Sequence, residues 1–120
     1  MKNKLNSTKK IKKAWPTKDV MEQIYTMKLW GDNDSNFYSG LGSHHPEIVN
    51  PYIDILSSFL QSFKIPLKVC DLGCGDFNVG KELVKYTDKY IGVDIVKDLV
   101  EHNTKTFNQA NLEFHCLDIA

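Results

Sequence analysis

The sequence predicts an α/β fold: a parallel sheet of three strands with their helices, preceded by two N-terminal helices. Three observations carry that prediction. Compact apolar runs at 67–72, 89–94 and 112–117 each close on an acid, Asp71, Asp94 and Asp118. The stretches between them show helical spacing, with Val79, Leu83 and Tyr86 in the first and Val96, Leu99, Val100 and Phe107 in the second. A glycine-rich loop, Gly73 to Asn78, follows the first run directly. Strand-helix-strand-helix-strand packed this tightly is the pattern of parallel strands joined by crossovers.

Each element has its own reason. Residues 1–16 read as a basic, flexible arm, since six of the fifteen lysines and no acid fall in residues 1–13. Residues 17–66 form a helical cap and loop. Thr17 is placed to cap a helix over 18–29, with Val20, Ile24 and Met27 on one face and Gly31 as its stop. Residues 31–46 are dense in Gly, Asn, Asp and Ser and read as a long loop. Asn50-Pro51 opens the second helix, because a missing proline N–H costs nothing in the first turn. Ile53, Leu56, Phe59, Leu60 and Phe63 give that helix one apolar stripe, and it ends before Pro66. Residues 67–120 then form the sheet, with a helix over 79–86. In the third strand Leu112, Phe114 and Cys116 alternate with Glu113 and His115, which suits a sheet edge.

Composition excludes several classes. The 120 residues include 42% hydrophobic and 25% charged residues, enough for a packed core and against wholesale disorder. Fifteen lysines balance fifteen acids, and there is no arginine, so the surplus positive charge of a dedicated nucleic-acid or membrane-surface binder is missing. No apolar run reaches the ~18–20 residues that span a bilayer. Three cysteines in apolar or glycine-rich segments do not make a disulfide framework, and a cytoplasmic location is expected. Cys70, Cys74 and Cys116 are expected to be buried thiols packing the sheet; the C-x3-C spacing fits no zinc finger, and no metal is expected. Tyr25, Trp30 and Phe37 read as core or cap packing, not as a cofactor box, and His44-His45 as loop, with a substrate contact or general base as the alternative.

Ligands of such sheets bind beyond the carboxyl ends of the strands. Glycines at 73 and 75 let the backbone approach a ligand, and Asp94, closing the second strand, is placed to accept hydrogen bonds from a ribose diol. The plainer alternatives are a tight turn for the glycines and a cap before Val96 for Asp94. A dinucleotide needs G-x-G-x-x-G, but Asn78 stands at the third glycine, and Asp71 and Asp76 would repel a diphosphate. S-adenosylmethionine has a ribose diol, an ammonium and a sulfonium, and no phosphate, so the sign of the loop favours it.

DLGCGDFNVG (71–80), YIGVDIV (90–96) and FHCLDIA (114–120) resemble, in order and spacing, the first three motifs of class I S-adenosylmethionine-dependent methyltransferases. More narrowly, the LWG, YSGLGS, CGDFN, GVDIV and LDI series over 29–120 is similar to a methyltransferase-like group. The resemblance implies a Rossmann-like sheet and methyl transfer to an unknown acceptor, expected to be a small molecule. Asp71, Gly73 and Gly75, with Asp76 beside them, would form the loop around the methionine moiety. Asp94 would hold the ribose and Ile95 would flank the adenine, with Asp118 and Ile119 at its edge and face. Tyr38, Ser39 and Gly40 would fold over the cofactor. Catalytic residues are not readable, since acceptor-side residues of the family lie in and after a fourth strand. The expectation is therefore a fragment truncated after the third strand, binding cofactor with weak or no turnover, its unpaired first-strand edge inviting self-association. The alternative is a non-catalytic nucleotide-binding or interaction module completed by a partner chain.

Overall fold

The computed structural model describes residues 14–34 and 37–119, so the expected basic arm lies outside the described residues except for its last three. Six regular elements follow in order: α1 (Thr17–Thr26), α2 (Pro46–Gln61), β1 (Leu67–Leu72), β2 (Thr87–Asp94), α3 (Lys97–Thr106) and β3 (Leu112–Cys116). The three strands are parallel in the order β1-β2-β3, with Asp71 opposite Gly92 and Asp94 opposite Cys116. This is the expected sheet, with β3 at one edge. Among the described residues no strand pairs with the outer edge of β1.

Several boundaries differ from expectation for local reasons. Thr17 is inside α1 instead of capping it; Pro16 occupies the cap and makes no side-chain cap bond. The helix stops before Gly31, because Leu29 N donates to Ile24 O (2.9 Å) and Lys28 N to Tyr25 O (3.2 Å), with Lys28 at φ +53°. That is a Schellman ending with lysine where glycine is usual. α2 begins at Pro46, not at Pro51: His45 is extended and its Nδ1 accepts from Glu47 N (3.3 Å), so Pro46 takes the first turn and Pro51 falls inside.

The expected helix over 79–86 is two 3-10 turns, Gly80–Glu82 and Val84–Tyr86. A 3-10 turn advances ~2.0 Å per residue against 1.5 Å in an α-helix, which lets so short a segment reach β2. The Val84 carbonyl then accepts from Thr87 Oγ1 (2.7 Å) and Asn111 Nδ2 (3.1 Å), taking the acceptor a continued helix would need.

The core centres on Phe77, which is fully buried and holds a positive φ of 66°, a costly conformation for a bulky side chain. Its ring meets Tyr90, Phe107 and Phe114 edge to face at 4.8–5.5 Å. Two glycines make that space: a Cβ on Gly80 would lie 2.3 Å from the Phe77 ring, and one on Gly92 2.7 Å from Phe114. Leu60 of α2 joins this cluster, while Tyr25 of α1 packs with Val96, Leu99 and Phe37 in a second one and meets Trp30 edge to face, Trp30 itself being exposed. The expected apolar stripe of α2 is only partly buried, since Phe59 and Phe63 are exposed. Cys74 is partly buried and packs against the core as expected, but Cys70 and Cys116 are exposed and do not. Cys70 alternates to the open face of β1, and Cys116 is the last residue of the edge strand.

Candidate functional site

The chain leaves β1 through a loop fastened to the end of β2. The N–H groups of Gly73 and Cys74 both donate to Val93 O (2.8 and 2.9 Å). Gly73 (φ +81°) and Gly75 (φ +54°) take left-handed turns, but their surroundings differ. A Cβ on Gly75 would touch Ser39 and Tyr25, whereas one on Gly73 would meet nothing within 4 Å. Gly75 is therefore packed, and Gly73 presents bare backbone to open space.

Asp94 binds the loop to α3. It is 6% exposed; Oδ2 accepts from Gly75 N and Oδ1 from Val96 N, both at 3.1 Å. Asn103, fully buried on α3, donates through Nδ2 to Gly75 O (2.8 Å). Both polar groups of the Gly75 backbone are thus held by side chains.

Two cavities meet at Gly73. The smaller, about 180 Å³, is walled by Gly73, Val93, Asp94, Ile95 and the Leu117–Ile119 segment, with Thr17 and Met21 of α1 opposite. The larger, about 660 Å³, runs along the open edge of β1 under α2 and reaches Asp71, Gly75, Asp76, Ser39 and Tyr90. So Asp94, Ile95, Asp118 and Ile119 gather at one cavity, and Asp71, Gly75, Asp76 and Ser39 at the other.

Asp76 ties the 38–44 segment to the loop. Its carboxylate accepts from Ser39 N (3.1 Å), Ser39 Oγ (2.8 Å), His44 Nε2 (2.5 Å) and Asn78 N (3.3 Å). Asn78 Nδ2 adds a bond to Ser43 O (2.7 Å). Tyr38 lies on the His44 ring (4.6 Å between centroids), and Gly40 is buried beside Trp30. Neither lines the two cavities.

Charge around the loop is negative. Burial, then the Asp94, Asp71 and Asp76 carboxylates, push the Cys74 thiol and the Tyr25 hydroxyl upward, Cys74 feeling Asp94 and Asp71 and Tyr25 feeling Asp94 and Asp76. Burial also raises the Asp71 carboxyl, against a hydrogen bond from Tyr90 that lowers it.

A malonyl-(acyl-carrier protein) O-methyltransferase of Acetivibrio thermocellus is 33% identical to this chain over 84 residues, which is 68% of this chain and 29% of that protein. A magnesium protoporphyrin IX methyltransferase from Synechocystis PCC 6803, solved with bound S-adenosylmethionine, shares the fold at a TM-score of 0.59 and 20% identity, over 88% of this chain and 56% of that one. In sequence and in fold the chain is similar to class I S-adenosylmethionine-dependent methyltransferases. An S-adenosylmethionine-dependent methyltransferase from Anabaena variabilis has the same fold, with a TM-score of 0.55 and 20% identity, over 88% of this chain and 40% of that chain. No protein-family model matches. The chain spans less than a third of the length of the curated relative that it matches.

Sequence reasoning missed three residues of this site. Asn103 carried a readable signal, because it falls on the buried stripe of α3 with Leu99 and Val100, where a polar residue needs a partner. Tyr90 and Met21 carried none, since both fit ordinary apolar positions.

Proposed function

We propose that the chain is the cofactor-binding portion of an S-adenosylmethionine-dependent methyltransferase, acting in the cytoplasm on a small-molecule acceptor. The observation that carries this reading is Gly73, whose side-chain position is open space shared by two cavities, one walled by Asp94 and the other by Asp71. The residues present fit the group. The smaller cavity falls below the ~300–1,000 Å³ of ordinary ligand sites, so a ligand spanning both is the better fit.

In this reading Asp94 accepts hydrogen bonds from the ribose hydroxyls through the lone pairs its two amide bonds leave. Ile95 and Ile119 flank the adenine, and Asp118 takes its edge. Asp71 and the Gly73 backbone face the methionine end, with Gly75 and Asp76 shaping the loop. Ser39, held by Asp76, covers it, while Tyr38 and Gly40 line neither cavity and support that segment from behind. The cofactor supplies a methyl group on sulfonium, activated for displacement; the protein's share is alignment and exclusion of water. Calorimetric titration of the 120-residue chain with S-adenosylhomocysteine tests this. Binding weakened at least tenfold by Asp94→Asn is expected, and equal binding by variant and parent would remove the ribose assignment.

A second reading rests on the β1 edge, whose backbone groups pair with no strand among the described residues. Such an edge invites pairing with another chain. Here the chain is a non-catalytic module that pairs with a second copy of itself. Solution mass separates the two: a monomer at micromolar concentration excludes the self-paired module.

A further inference from the structure

Asp71 and Tyr90 are diagonal neighbours on one face of the sheet, since Tyr90 is opposite Val69 and Asp71 is two residues further along β1. The Tyr90 hydroxyl donates to Asp71 Oδ2 at 2.7 Å, and both residues line the cleft along β1. The tyrosine ring cannot wander: it is 2% exposed, and Phe77 meets it edge to face at 5.5 Å. Oδ1 of Asp71 is left for another donor. Among the described residues no lysine or histidine bonds to Asp71.

We propose that Tyr90 is a positioning residue: it holds the Asp71 carboxylate ionised and turned into the cleft, so that the pair takes the ammonium group of a bound amino-acid-bearing ligand. The inference rests on the cofactor reading above and adds the device that keeps its acid charged. The surroundings of Asp71 oppose that charge. Burial acts first, and the Asp94 carboxylate across the loop adds to it, while the Tyr90 bond alone works the other way. Cys74 of the loop and Tyr52 of α2 also face the pair, and neither is a cation. Without the hydroxyl, a half-buried carboxyl in this field binds its proton more tightly. A neutral acid would lose most of its attraction for an ammonium group.

The test uses the full chain with carbon-13-labelled aspartate, in which the Asp71 side-chain carbon is followed against pH. Tyr90→Phe keeps the ring against Phe77 and is expected to raise the proton affinity of Asp71 about tenfold, the effect of losing one charge-assisted hydrogen bond. Titration with S-adenosylhomocysteine gives the second reading. The parent-to-variant affinity ratio is expected to grow as pH falls from 8 toward 5, and Tyr90→Phe is expected to add nothing in an Asp71→Asn background. An unmoved Asp71 midpoint, or an equal ratio at pH 8 and pH 5, overturns the proposal. If the midpoint moves but the parent does not bind the ligand, the cofactor reading fails and the ammonium role fails with it, while the Tyr90–Asp71 coupling stands.

Discussion

Asp94 carries two duties, and replacing it separates them. Its carboxylate accepts from Gly75 N and Val96 N, both at 3.1 Å, in a position 6% exposed. Asp94→Ala leaves two buried amide donors without an acceptor, at about 1–3 kcal/mol each. The adjoining cavity of about 180 Å³ can admit water to one of them, so the lower part of that range applies. The expected loss is therefore about 2–4 kcal/mol, a large share of the 5–15 kcal/mol that typically holds a domain together. Asp94→Asn keeps one acceptor and is expected to lose about half as much. Urea unfolding followed by circular dichroism measures this, and calorimetry with S-adenosylhomocysteine measures binding on the same samples. If Asp94→Ala costs under ~0.5 kcal/mol, the size of an ordinary surface change, the two hydrogen bonds do not hold the loop. If both variants are destabilised as expected but Asp94→Asn binds the ligand like the parent, Asp94 is a cap and nothing more.

Three further outcomes follow from the same packing. Gly80→Ala would put a Cβ 2.3 Å from Phe77, whose ring is enclosed by three other aromatic rings, and overpacking of this kind costs about 1–3 kcal/mol; a variant as stable as the parent in urea would mean that the ring can yield. Alkylation at pH 8 should label Cys70 and Cys116 quickly and Cys74 slowly, because burial and the Asp94 and Asp71 charges hold the Cys74 thiol protonated; mass spectrometry showing Cys74 labelled first would contradict this. Asp71 has its pKa raised in the fold, so the folded state binds that proton more tightly than the unfolded chain does. Its contribution to stability thus falls as pH rises from the unfolded value through the folded one, and Asp71→Asn should gain on the parent between pH 4 and pH 7. A stability difference that stays flat over that interval would sink the assignment.

Much of this was legible in the sequence, and the exceptions have physical causes. The strands expected at 67–72 and 112–117 were readable because short segments with apolar residues at alternate positions are a local signal, and Gly73 and Asp94 because turn geometry and charge are local properties. The segment 79–86 has the spacing of an α-helix, yet the distance to β2 and the Phe77 ring against Gly80 override it. The start of α2 was ambiguous because two prolines, Pro46 and Pro51, each satisfy the first-turn rule. The local cap decides between them: His45, directly before Pro46, is extended and accepts from Glu47 N. Asp76 reads as a ligand-facing acid from its place in the loop. Its four hydrogen bonds to Ser39, His44 and Asn78 join residues up to 37 positions apart, which no local pattern reveals.

The choice between a sulfonium and a diphosphate ligand began as an argument about charge sign, and the fold adds an independent reason. A diphosphate is normally held on the amides at the start of an α-helix, where the aligned peptide dipoles present about half a positive charge. Behind this glycine loop there is no such helix, only two 3-10 turns of three residues each. The Gly73 and Cys74 amides are already spent on Val93 O, and the Gly75 amide on Asp94. Asp71, Asp76 and Asp94 surround the loop, His44 is bound to Asp76, and Lys68 is the one lysine in the wall of the cleft along β1. A diphosphate would therefore meet three carboxylates with a single lysine, Lys68, to offset them, whereas a cationic ligand meets the field it needs. The expected result is that NAD binds at least a hundredfold more weakly than S-adenosylhomocysteine in competitive calorimetry. Comparable affinities would mean that the loop rearranges to free its amides, and the charge argument would fall with them.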